Sequence, residues 1–146
     1  VLALCTWVAL VGLGPAAGAV QAQVQAPGPE GPVDTTALSV VQDAFATGNV
    51  DLLLGEAGDR VDIAIFGHGA SYSRAQAALV LLDFFRRHPP DQVEFDEEAV
   101  ASDRRSVIGR YWETGSPEPV AVFIRLRARD DAWQLRSIRI ERGARR

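Results

Sequence analysis

The sequence predicts one α+β domain, a curved antiparallel sheet wrapped around a long apolar helix with two further helices ahead of it. Three observations carry that expectation. Apolar residues recur at helical spacing between residues 35 and 88, broken by one strand-like stretch. Four β-rich segments at hairpin spacing follow Pro89-Pro90. The last of these slips phase in a way that only a bulged, bent sheet accommodates.

The chain opens with VLALCTWVALVGLGPAAGAV, uncharged for 20 residues, and continues into the polar, Pro/Gly-rich QAQVQAPGPEGPVD. That pairing predicts a secretory signal over residues 1–22, with Ala17-Gly18-Ala19 or Val20-Gln21-Ala22 as cleavage zones, and a product exported to the periplasm or secreted. An uncleaved signal anchor is the alternative, because such a run approaches membrane-spanning length, and it is the only route by which this chain would meet a membrane. Pro15 and the small residues after it favour cleavage. Residues 23–33 hold Pro27, Gly28, Pro29, Gly31 and Pro32 and are expected to form a flexible tether.

Folding is expected over residues 34–142, with 143–146 as a tail. Thr35 or Thr36 can cap a first helix whose stripe is Leu38, Val41 and Phe45, and Gly48 supplies a left-handed stop. Asn49 can cap a short second helix through Leu52, Leu53 and Leu54, which Gly55 and Gly58 end. Val61, Ile63 and Ile65 then alternate with Asp62, Ala64 and Phe66 as in a half-buried strand. Gly67-His68-Gly69 reads as a turn, Tyr72 as part of a short returning strand, and Ser73 with Gln76 as a capping box. The long helix that follows has Ala75, Ala78, Leu79, Leu82 and Phe85 on one stripe, with Val80, Leu81 and Phe84 spreading apolar surface almost all round, so it should be covered on more than one side. Arg86 and Arg87 suit its C-terminal dipole, and His88-Pro89-Pro90 ends it.

Asp91–Ala101, Ser106–Gly115, Pro119–Asp130 and Ala132–Arg142 then form an antiparallel meander. In the third, Val120, Val122, Ile124 and Leu126 oppose Ala121, Phe123, Arg125 and Arg127, the clearest one-face-buried strand in the chain. In the fourth, Trp133 and Leu135 share one parity and Ile138 and Ile140 the other. A β-bulge near Arg136-Ser137 would keep all four in the core.

Length and composition, 146 residues with 47% hydrophobic and 23% charged, suit one globular domain. The net charge is -4, from 19 acids against 15 bases, and no basic half exists to argue for nucleic acid. Every base is Arg, which reads as the composition of a GC-rich genome rather than as arginine chemistry. The single Cys5 lies in the apolar leader, so neither a disulfide nor a cysteine metal site is expected in the domain.

Several stretches together resemble a known family: Gly48-Asn49 after the first helix, the Leu-rich second helix, the Val61-Asp62-Ile63 strand, the Tyr72-Ser73-Arg74-Ala75-Gln76 helix start, the Phe84-Phe85…Pro89-Pro90 helix end and the closing Leu135–Glu141 strand. They resemble the NTF2-like superfamily and, within it, the small exported bacterial proteins called DUF4783. The resemblance covers roughly Asp34 to Arg142. It implies an NTF2-like (cystatin-like) cone, often with an internal pocket. That superfamily includes ketosteroid-isomerase-like enzymes, dehydratases, ligand-binding modules and dimerising adaptors, so the fold does not choose a function. In the isomerase-like members an acidic base sits on the strand matching Val61–Phe66, with oxyanion donors deeper in the cone.

Candidate residues follow from that comparison and from residue chemistry. Asp62 is the only acid on its strand, but its parity opposes Val61, Ile63 and Ile65, so it is expected to face water. Tyr72 could donate a hydrogen bond into a pocket, and His68 could hold an imidazole at the pocket mouth. Tyr111 with Glu113, or Trp112 with Arg110, could line that mouth as ligand-binding residues. Arg125, Arg127 and Arg129, with Arg136 and Arg139 nearby, could form an anion-binding surface or simply pair across strands with Glu94, Asp96 and Glu98. His88 reads as a helix terminus and nothing more. No metal-ligand set, phosphate loop or nucleophile elbow is present, so neither metal nor cofactor is expected. Two functions remain open: a non-catalytic module that binds a small apolar ligand or a protein partner and can pair as a homodimer through the sheet, or a cofactor-independent isomerase or lyase using Asp62, Tyr72 or Trp112.

Overall fold

The protein, seen here as a computed structural model, is described over residues 35–55, 57–130 and 132–143. The expected signal segment, the tether and residues 144–146 lie outside the described residues. The elements run α1 (Thr35–Thr47), α2 (Val50–Gly55), β1 (Ala57–Ile65), β2 (His68–Ser73), α3 (Arg74–Arg87), β3 (Pro90–Val100), β4 (Arg104–Glu113), β5 (Val120–Arg129) and β6 (Ala132–Arg142).

The six strands form one sheet in the order β2-β1-β6-β5-β4-β3. β3 to β6 are the antiparallel meander the sequence predicts. The β1–β2 hairpin joins it through parallel pairing of β1 with β6, Asp62 opposite Ser137 and Ile65 opposite Ile140. Hairpin spacing carries no information about that non-local pairing. α3 packs on β1 and β2, α1 on β3, and α2 contacts both helices. This is the curved, unclosed sheet around helices expected of an NTF2-like, cystatin-like cone.

Local chemistry sets the element ends. Gly48, at φ 64°, stops α1 in the left-handed conformation, and the Asn49 side chain accepts from the Leu52 amide at 3.0 Å to start α2. α1 already includes Thr35, so its cap position falls outside the described residues. Ser73 and Gln76 form the reciprocal capping box of α3. Leu126 pairs with Leu135 and Arg125 with Ser137, which leaves Arg136 without a partner on β5. That is the expected bulge, and it buries Trp133, Leu135, Ile138 and Ile140 together.

Three expectations are corrected. The hairpin turn is Phe66-Gly67, at φ 51° and 89°, so His68 is the first residue of β2 rather than part of the turn. Positive φ at both positions gives the twist that a two-residue hairpin needs, even though Phe66 is an unusual residue there. β1 begins at Ala57, which puts Gly58 inside the strand instead of at the end of α2. On α3 the buried stripe is Ala77, Leu81, Phe84 and Phe85, while Leu79 is 70% and Leu82 48% exposed. The all-round apolar helix is therefore covered mainly on one side among the described residues. The expected stripe of Ala75, Ala78, Leu79, Leu82 and Phe85 is thus replaced by one that faces α2, β1 and β2.

Candidate functional site

The cone interior is filled. Phe45 of α1 meets Phe85 edge-on at 5.5 Å, Phe95 at 5.6 Å and Tyr111 at 6.3 Å between ring centroids. Phe84 closes the cluster, 5.4 Å from Phe85 and 5.6 Å from Tyr111. Gly109 makes room for this arrangement: Phe95 lies across it so closely that an added Cβ would stand 2.3 Å from the ring. The Tyr111 hydroxyl, fully buried with its ring, donates to the His88 carbonyl, and the His88 ring pairs with Glu113 and stacks on Phe84 at 5.0 Å. His88 is thus more than a helix terminus, because it ties the end of α3 to β4. Burial, and secondly the Glu113 charge, push the Tyr111 phenol well above its ordinary value. Tyr111 acts as core and lock, and its hydroxyl is already committed.

What remains of a cone mouth is a groove of about 250 Å³ between α3 and the β1–β2 hairpin, lined among others by Ile63, Phe66, His68, Tyr72, Phe84 and His88. Tyr72 and exposed His68 belong here, on the inner side of the hairpin. Its volume is at the small end of ligand pockets, which generally run to several hundred cubic ångströms.

Asp62 points the other way. It is exposed, as its parity predicts, on the outer face of the sheet, so Asp62 and Tyr72 lie on opposite faces of one hairpin. Asp62 instead shares a depression of about 570 Å³ with Ala64, Ser106, Phe123, Arg125, Ser137 and Arg139. Pairing places these in rows across the sheet: Asp62 beside Ser137, Ser137 beside Arg125, Arg125 beside Ser106, and next to them Ala64, Arg139, Phe123 and Ile108. Arg139 lies over the Phe123 ring at 4.5 Å. Trp112 is half-buried on the same outer face under Arg110, whose guanidinium stands 5.7 Å from its ring, and it does not meet Tyr72 or Tyr111 in a pocket.

Among the described side chains, the cross-strand pairing expected between the β3 acids and the β5 arginines does not form. β4 lies between those strands, and Glu94 pairs with Arg110 of β4 at 2.7 Å. The Glu98 side chain lies outside the described ones. Among the described residues no group of three His, Cys, Asp or Glu side chains comes together as a metal site, and no helix is long and apolar enough to cross a membrane. The Phe123–Arg139 pairing was not singled out from sequence, although the alternation of β5 placed Phe123 on the outer face.

Similarities to known proteins bear on the fold. A DUF4783 protein from Bacteroides uniformis has a crystal structure that superposes with a TM-score of 0.67 at 21% identity, covering 73% of this chain and 97% of that one. Its counterpart from Bacteroides ovatus gives 0.67 at 20%, covering 73% and 96%. A protein of the NTF2-like family from Streptomyces avermitilis gives 0.57 at 15%, covering 75% and 93%. Among curated proteins none matches significantly. The family model described as "Domain of unknown function (DUF4783)" matches residues 38–141. With that match spanning most of the chain and the same curved sheet around the same helices, this protein belongs to the DUF4783 family and has the NTF2-like fold.

Proposed function

We propose that this domain is a non-catalytic binding module that works through the outer face of its sheet, with a second copy of the chain as the occupant. The observation that carries this reading is the aromatic plug of Phe45, Phe84, Phe85, Phe95 and Tyr111. An isomerase or lyase of the ketosteroid kind needs a base and an oxyanion donor converging in a water-excluding interior. Here Asp62 and Tyr72 diverge, and the interior space is taken. The same plug argues against a small apolar ligand held inside the cone.

The outer face has what a self-complementary contact needs. Phe123, Ile108 and Ala64 give it an apolar centre, Arg125 and Arg139 stand at that centre, and carboxylates flank it at Asp62 on one side and at Asp96 and Glu94 on the other. A two-fold contact presents the same patch from both copies, so a face carrying both charges can satisfy itself. The apolar run over residues 1–20 supports a working site outside the cytoplasm, and N-terminal sequencing of the mature chain tests that part separately.

Sedimentation equilibrium of the full chain is the test. Self-association is expected, and Phe123→Glu should abolish it while leaving the circular dichroism spectrum unchanged. A chain that stays monomeric at every concentration, or a Phe123→Glu protein that associates as the parent does, would sink the reading.

A further inference from the structure

Four arginines converge where β4 begins and β6 bulges. Arg104, Arg125, Arg127 and Arg136, with Ser106, line a depression of about 480 Å³ at one end of the outer face. Arg104 stands directly opposite Arg127 in the β4–β5 pairing, and Arg125 stands opposite Ser106. Arg136, the β6 residue that the bulge leaves without a partner on β5, lines the same depression. All four side chains are exposed.

Their partners are few. Arg104 has Asp103 at 3.4 Å, an exposed pair that contributes little. Among the described residues no carboxylate lies within ion-pair distance of Arg125, Arg127 or Arg136. Like charges directly opposite on neighbouring strands cost stability, and here one such pair is kept in a chain whose net charge is -4. Repulsion of that kind is relieved by an anion held between the guanidiniums, whose forked donors match the oxygens of phosphate.

The spacing narrows the ligand. Adjacent strands stand about 4.8 Å apart, so Arg104 and Arg136, two strands apart, span roughly 10 Å, and Arg125 and Arg127 add about 7 Å along the strand. Two or three linked phosphates match that spread of backbone positions and can each take a pair of guanidiniums. We infer that this end of the sheet is a binding site for ligands carrying several closely spaced phosphate groups. Such groups come either from a free oligophosphate or from the headgroups of an anionic lipid surface. The site goes beyond the self-association proposed above: Arg104, Arg127 and Arg136 do not line the depression around Phe123, although Arg125 lines both.

The test uses the full chain with sodium tripolyphosphate, inorganic phosphate, and vesicles of phosphatidylglycerol in phosphatidylcholine. Calorimetric titration at low salt follows the soluble anions and vesicle co-sedimentation follows the lipids. Tripolyphosphate is expected to bind at least tenfold more tightly than inorganic phosphate, and less tightly as salt rises. Arg127→Gln/Arg136→Gln should lose at least tenfold in affinity, while Arg86→Gln on α3 binds as the parent does. The double variant should also unfold at the same temperature as the parent or higher, because it removes a repulsion. This readout separates lost binding from lost structure. Vesicle binding lost in the same variant, without tripolyphosphate binding, assigns the phosphates to lipid headgroups, and the reverse assigns them to a soluble ligand. The proposal is overturned if neither probe binds, if inorganic phosphate binds as tightly as tripolyphosphate, or if Arg86→Gln weakens binding as much as the double variant.

Discussion

Tyr111 keeps its proton because its ring is buried and Glu113 stands nearby, and both raise the phenol's pKa. Unfolding frees the group to ionise at its usual value near 10.0. The folded state therefore holds the proton more tightly, so this contribution is fully present below pH 10 and is lost as pH rises above it. Chemical denaturation of the parent should show stability falling steeply on the alkaline side. Tyr111→Phe should flatten that fall and cost about 1 kcal/mol at neutral pH, because the hydrogen bond to the His88 carbonyl goes. An unchanged alkaline slope in the variant would reject this account. Asp62 gives the opposite expectation. As an exposed carboxylate, Asp62→Asn should stay within about 0.5 kcal/mol of the parent by thermal melting. Strand parity was enough to place Asp62 outward. Nothing local told that His88 would meet Glu113, since the two are 25 residues apart and only the return of β4 past the end of α3 joins them.

At the scale of elements, α3 shows how a pattern with two solutions is resolved. Leu81 is buried and Leu79 is 70% exposed. Leu81→Ala should cost about 2–5 kcal/mol, and Leu79→Ala no more than a few tenths, by equilibrium unfolding in urea. Equal losses would mean that Leu79 is covered in solution. The capping box predicts a separate loss of about 1 kcal/mol for Ser73→Ala, read the same way. β4 carries a stricter demand at Gly109, where a methyl group would occupy the place of the Phe95 ring. Gly109→Ala should destabilise by about 1–3 kcal/mol and move the Phe95 resonances in an NMR spectrum. Periodicity, caps and the phase slip at Arg136 were legible, since each is set within a few residues. The turn at Phe66-Gly67 was not, because a bulky residue rarely takes positive φ and a neighbouring His68-Gly69 offered itself.

For the whole molecule, β6 is the strand on which the two halves depend. It pairs antiparallel with β5 and parallel with β1, so among the described residues the hairpin that carries Asp62 and Tyr72 joins the rest of the sheet through β6. A chain truncated before Ala132 should show no cooperative unfolding transition and a reduced sheet signal in circular dichroism. Persistence of a sharp transition would show that the β1–β2 hairpin finds its place without β6. The sequence alone determined the element types, the one-face burial of β5, the bulge and the outward Asp62, because those depend on spacing between neighbouring residues. Only the tertiary structure decided that aromatic rings from α1, α3, β3 and β4 would fill the cone, and that Arg104 of β4 would join Arg125, Arg127 and Arg136 at one end of the sheet. Both depend on which strands lie side by side and how sharply the sheet bends, and those are set by contacts between residues far apart in the chain.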